Sequence, residues 1–158
     1  MKSIPVKYIN GTIEYYNING ELHRDEDMPA VITADGTRQW WKHGMLHRDG
    51  DEPALIRSNG SKGWFKDGIL HREGDKPAVI TADGSLQWYH KGKLHRERDK
   101  PAVIRLNSQE KLWHINGKLH REGDKPAVIN SNGSKSWYKN GDLHREGDKP
   151  AVILADGY

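Results

Sequence analysis

A nine-residue segment that occurs six times constrains this chain more than any other feature. The pattern Leu-His-Arg-acid-x-Asp-x-Pro-Ala begins at Leu22, Leu46, Leu70, Leu94, Leu119 and Leu143, at spacings of 24, 24, 24, 25 and 24 residues. Trp40, Trp64, Trp88, Trp113 and Trp137 keep the same beat, with Tyr16 in the tryptophan slot one period earlier, and a glycine follows each of the six by four residues. All seven prolines (Pro5, Pro29, Pro53, Pro77, Pro101, Pro126 and Pro150) share one register, which aligns the N-terminal PVKYINGT with PAVITADG. Self-similarity at a short fixed period marks a repeat array in which each unit packs on its neighbours. The predicted organisation is a single repeat domain over 1–158, with a half-repeat cap at 1–15, six units of 24 or 25 residues from about 16, and a C-terminal half repeat at 150–158. The one spacing of 25 arises at Asn107-Ser108-Gln109-Glu110, which replaces a two-residue turn and adds a residue.

Each unit reads as a short apolar run (Ala78-Val79-Ile80-Thr81), an Asp83-Gly84 turn, a second run from Leu86 to His90, and a glycine-containing loop that carries Leu-His-Arg. Asp-Gly or Asn-Gly between two β-prone runs is a strong hairpin signal, and a type I′ turn is expected there because both central residues need positive φ. No segment keeps apolar residues at i, i+3 and i+4 over helical length, so helices are expected to be few or absent. Leu, Ile, Val and Phe make up only about a fifth of the chain, a composition that borders on disorder when charge is high. A net charge of only +3, six Trp and six Tyr point to a folded chain instead. One unit buries too little to offset the entropy of ordering it, so stacked neighbours must supply the rest. The expected fold is all-β: a repeat array of antiparallel β-hairpins forming an elongated, twisted single-layer ribbon, with up to thirteen strands at about 4.8 Å spacing.

The string Asp-Gly-x-x-x-aromatic-aromatic-Lys-Asn-Gly-x-x-His, seen in Asn132 to His144 and Asp83 to His95, resembles MORN repeats. It is similar to the variant MORN-like arrays of bacterial and viral proteins, and the likeness covers nearly the whole chain. The resemblance implies extended ribbons of hairpins. The family's tryptophan sits three residues before the loop glycine, matching Trp41, Phe65, Tyr89, His114 and Tyr138, whereas this chain adds its own Trp one position earlier and has His-Arg where the family has His-Gly.

Two sets of residues are candidates for binding. The loop ladder pairs His23 with Arg24, His47 with Arg48, His71 with Arg72, His95 with Arg96, His120 with Arg121 and His144 with Arg145, each pair followed by acids. Its structural reading has each Arg bound to an acid of its own or the next loop and each following Asp capping turn N–H groups. The strand face of Trp40, Trp64, Trp88, Trp113 and Trp137 is flanked two residues away by bases that include Lys42, Lys66 and Lys139, with Trp41 as an extra aromatic. Basic residues between aromatics suit single-stranded nucleic acid, while Lys stems laid along indoles are the structural alternative. Departures from the repeat, among them Trp41, Phe65, Arg98, Arg105, the 107–110 insertion and His114, are further places to look.

Enzyme chemistry is not expected, because every candidate group recurs in an equivalent setting instead of converging once with unlike groups. No phosphate-binding glycine loop or metalloprotease motif occurs. One His per loop cannot supply three or four converging ligands, so no metal and no cofactor is expected. Zero cysteines fit a reducing, cytoplasmic setting, and no apolar run is long enough to span a membrane. The expected role is a non-enzymatic binding or scaffolding module for a protein partner or for self-association, including a homodimer through a sheet face or edge. The alternative is an anionic ligand, nucleic acid or nucleotide, held by the Lys–Trp face or the His-Arg ladder.

Overall fold

The computed structural model describes residues 3–157, and every regular element among them is a β-strand. Met1, Lys2 and Tyr158 of the predicted half repeats lie outside the described residues. No helix is long and apolar enough to cross a membrane among the described residues. The chain divides into two compact units, Met1–Arg72 with Ala78–Ala82 and Glu73–Pro77 with Asp83–Tyr158.

In the first unit an antiparallel ladder runs through Ile4–Lys7, Ile13–Tyr16, Val31–Ile32, Arg38–Gln39, Leu55–Ile56, Lys62–Gly63 and Val79–Ile80. In the second the ladder is Leu86–Gln87, Val103–Ile104, Lys111–Leu112, Val128–Ile129, Lys135–Ser136 and Val152–Ile153. A separate two-stranded hairpin follows each second strand: Trp41–Lys42 with Met45–Leu46 and Phe65–Lys66 with Ile69–Leu70 in the first unit. Tyr89–His90 with Lys93–Leu94, His114–Ile115 with Lys118–Leu119, and Tyr138–Lys139 with Asp142–Leu143 do so in the second.

The repeated tryptophan is the pivot between ladder and hairpin. Trp40 N–H donates to Ala54 O of the ladder at 2.8 Å, while Trp40 O accepts from His47 N–H of the hairpin's return arm at 2.9 Å. Trp64, Trp88, Trp113 and Trp137 repeat both bonds. The accepting alanines Ala54, Ala78, Ala102 and Ala127, like Ala30, have 0% exposure, so at these five positions there is no space for a larger residue, while Ala151, which accepts from Trp137, is half-buried. With the tryptophans and Val31, Val103 and Val128 the five alanines form the buried apolar set.

Turn chemistry differs from the sequence expectation. At Asp35-Gly36 only the glycine has positive φ (87°), and Gly36 N–H donates to Thr33 O while Thr33 N–H donates to Thr37 O. This is a type I turn closed by a G1 bulge, the three-residue hairpin loop, in which only the glycine needs positive φ. The type I′ geometry occurs in the second hairpins, where both central residues have positive φ: His43-Gly44, Asp67-Gly68, Lys91-Gly92, Asn116-Gly117 and Asn140-Gly141.

The N-terminal register also corrects the 24-residue count. Val6 and Lys7 pair with Glu14 and Ile13 as Val31 and Ile32 pair with Gln39 and Arg38, which places Pro5 in the slot of Ala30 and not in the proline slot. Tyr15, not Tyr16, takes the tryptophan slot: its N–H donates to Ala30 O and its carbonyl accepts from His23 N–H. The next turn, Asn17 to Glu21, is one residue longer than its counterparts, with Asn17 N–H donating to Glu21 O. A strand one residue short and a turn one residue long cancel, which hides both from a spacing count.

Candidate functional site

The loops that follow each hairpin carry the repeated His, Arg and Asp, and the pivot tryptophan brings them together. Arg48, Arg72, Arg96, Arg121 and Arg145 lie over the rings of Trp40, Trp64, Trp88, Trp113 and Trp137 at 3.6 to 4.0 Å, and Arg24 lies over Tyr15 at 3.7 Å. The signal in the sequence is an Arg eight residues after each Trp. Cation–π attraction of this kind contributes about 1–2 kcal/mol when the cation is partly desolvated, and these guanidiniums are only 13 to 15% exposed. The indoles themselves are buried, and each donates Nε1–H to a backbone carbonyl: Trp40 to Asp27, Trp64 to Asp51, Trp88 to Asp75, Trp113 to Asp99 and Trp137 to Asp124.

The same aspartates receive the arginine forks. Arg48 binds Asp27 through Nε at 2.7 Å and Nη2 at 2.6 Å. Arg72 binds Asp51, Arg96 binds Asp75, Arg121 binds Asp99 and Arg145 binds Asp124 in the same way. The partner is the acid of the preceding loop and not of the Arg's own or the following one, and the carboxylate goes to the guanidinium instead of to turn N–H groups. Asp75, Asp99 and Asp124 also take Lys100, Lys125 and Lys149. Arginine first and lysine second hold these three carboxyls down at about 2.

The histidines have a structural task that the sequence reading missed. His23, His47, His95 and His120 accept through Nδ1 from the backbone N–H of His43, Asp67, Asn116 and Asn140, the first central residue of the next hairpin's type I′ turn. Acceptance by Nδ1 requires the Nε2–H tautomer, and in His23, His47 and His120 that Nε2 faces Asp25, Asp49 and Glu122 at 2.9 to 3.1 Å. His144 faces Glu146 at 3.5 Å, and His71 is half-buried in its loop. Among the described residues no three His, Asp or Glu side chains form a metal-holding group.

The lysines do not lie along the indoles, whose faces hold arginine. Lys42 and Lys139 are exposed and turn to Asp49 and Glu146 at 2.8 and 2.6 Å, which raises both ammonium groups; Lys66 is exposed. Trp41 lies beside the ladder with Nε1–H on Gln39 Oε1 at 2.9 Å. Its counterpart Phe65 covers Gly63, where an added Cβ would meet the ring at 2.8 Å.

Between consecutive loops lies a recurring cleft. One, of about 410 Å³, is lined by Trp40, Trp41, Arg24 and Arg48; a second, of about 390 Å³, by Trp113, His114, Arg96 and Arg98; a third, of about 100 Å³, by Trp137, Tyr138 and Arg145. His114 replaces the usual aromatic in the second, is buried, and leaves its Nδ1 without a hydrogen-bond partner. No protein-family model matches the chain, and no curated protein is significantly similar to it.

Proposed function

We propose that this protein is a non-enzymatic binding or scaffolding module, an array of MORN-like repeats that engages another protein or further copies of itself. The recurring inter-loop cleft carries this reading. Its Trp, His and Arg recur from unit to unit, and Arg48, Arg121 and Arg145 there are already paired with loop aspartates. Such a surface offers the same contact several times over and gives multivalent affinity to a partner with matching spacing. It offers no single convergence of unlike reactive groups. A reducing compartment such as the cytoplasm suits a chain without cysteine.

Sedimentation over a wide concentration range, together with capture of partners from extract by the full chain, tests this. Concentration-dependent assembly or a partner lost on cleft substitutions at Trp41 and Lys42 supports it; a strict monomer that captures nothing overturns it. A second reading, binding of a polyanion, rests on Arg38, Lys62, Lys111 and Lys135, which have no acidic partner among the described residues. It predicts salt-dependent binding of single-stranded oligonucleotide, and binding independent of salt would remove it.

A further inference from the structure

One residue of the period-breaking insertion, Gln109, joins repeated residues on the ladder face of the second unit. Ile104, Lys111 and Ile129 are directly opposite one another across three adjacent strands. With Gln109, Trp113 and Arg121 they line an open groove of about 510 Å³. The side chain of Lys111 is exposed and has neither hydrogen bond nor ion pair among the described residues. None of the groove's lining residues is acidic. The adjacent carboxylate, Glu110, is taken by Arg105, and Arg121 already holds Asp99. The groove therefore combines apolar and neutral polar groups, Asn130 and Ser131 among them, with one uncompensated cation, unlike the loop clefts, where acid and base alternate.

Gln109 makes this groove different from the repeat average. It comes from the ladder turn that adds a residue, and it has φ of 51° where the other ladder turns have glycine at 81° to 90°. A non-glycine residue in the left-handed region carries strain of about 1–2 kcal/mol, and here the result is a primary amide, able both to donate and to accept, at the rim of the groove. Such a group matches a peptide bond. Isoleucines match aliphatic side chains, and Lys111 matches a carboxylate. Stacked bases find no open ring, since the guanidinium of Arg121 covers Trp113 at 3.8 Å.

We propose that this groove is a docking site for a short peptide segment in which an acidic residue is flanked by aliphatic ones, with Lys111 pairing the carboxylate and Gln109 the peptide backbone. The proposal rests on the binding-module reading above and gives that module a site and a partner chemistry. The test is calorimetric titration of the full chain with synthetic heptapeptides alternating Leu or Ile with Glu, with Lys-for-Glu counterparts and oligothymidylate as comparisons. Acidic peptides are expected to bind with Kd on the order of 10–100 µM, in the range of transient contacts. Lys111→Glu should weaken them at least tenfold. Gln109→Gly should weaken them several-fold while raising thermal stability, which separates lost contact from lost fold. Lys7→Glu, on the first strand of the other unit, should leave binding as it was. The groove assignment fails if acidic peptides do not bind at about 1 mM, if Lys111→Glu binds them equally well, or if oligothymidylate binds through Lys111 and peptides do not. Assembly or partner capture that persists alongside such a failure leaves the module reading standing without this site.

Discussion

Arg48, Arg96, Arg121 and Arg145 each do three things at once. Arg121 stacks on Trp113, forks onto Asp99 at 2.6 and 3.2 Å, and donates Nη1–H to Pro126 O at 3.2 Å. Only a planar guanidinium satisfies all three directions, so Arg121→Lys is expected to lose nearly as much stability as Arg121→Ala, about 1–2 kcal/mol by urea denaturation. Rescue by lysine would show that charge alone matters. His114 supplies a second test. Burial lowers its pKa, partly opposed by a hydrogen bond to Leu112 backbone, so the folded chain binds fewer protons there than the unfolded one. Stability from this group is whole above about 6.5 and declines as pH falls below it. His114→Tyr, restoring the aromatic found at Tyr89 and Tyr138, is expected to flatten that slope and to add about 1 kcal/mol by removing the orphaned Nδ1; an unchanged slope between pH 7 and 5 would assign it elsewhere. The sequence showed the departure at position 114 but not its burial, because spacing says which residue differs and nothing about what covers it.

Among the elements, turns carry most of the specification. The glycine of the Gly-Asp pair in the loops has positive φ at Gly50, Gly74, Gly123 and Gly147, whereas Glu26 and Arg98 adopt φ of 61° and 60° in the same slot. Arg98→Gly is expected to raise stability by roughly 0.5–1 kcal/mol, the relieved strain less the added chain entropy, with the thermal midpoint as the readout. Deleting Ile18, which is 73% exposed, turns the long Asn17–Glu21 turn into an Asn-Gly type I′ turn like its counterparts. The deletion should be tolerated or stabilising, with Tyr15 still under Arg24; unfolding would show that the extra residue is required. Hairpin alternation and the absence of helices among the described residues were legible in the order of residues. The exchange of turn types was not, since Asp-Gly serves both a type I′ turn and a type I turn with a G1 bulge. The pivot at each tryptophan was also hidden: alternation put Trp40 on one face with Arg38 and Lys42, yet Trp40 is buried and both cations are exposed.

At the scale of the whole molecule the carboxylates of the loops act in common. Asp75, Asp99 and Asp124 all titrate at about 2 in the fold, below the ordinary value near 3.9. Their contribution is present above that ordinary value and is lost as pH falls from about 4 to about 2. Acid unfolding monitored by tryptophan fluorescence should therefore steepen in that window, and Asp→Asn at the three positions should lower stability at neutral pH while shallowing the acid transition. A transition unchanged by the three substitutions would place acid sensitivity outside the forks. Identical forks were predictable in kind from the acid and base composition of the loops, but not their direction, because acids stand on both sides of every Arg in sequence. That direction has a further meaning. Within each unit an arginine reaches back to the aspartate of its predecessor, while the same aspartate's carbonyl receives the indole of the successor. Consecutive loops within each unit are thus tied at one residue through both its side chain and its backbone, so displacing that aspartate shifts the guanidinium and the indole of the next loop together.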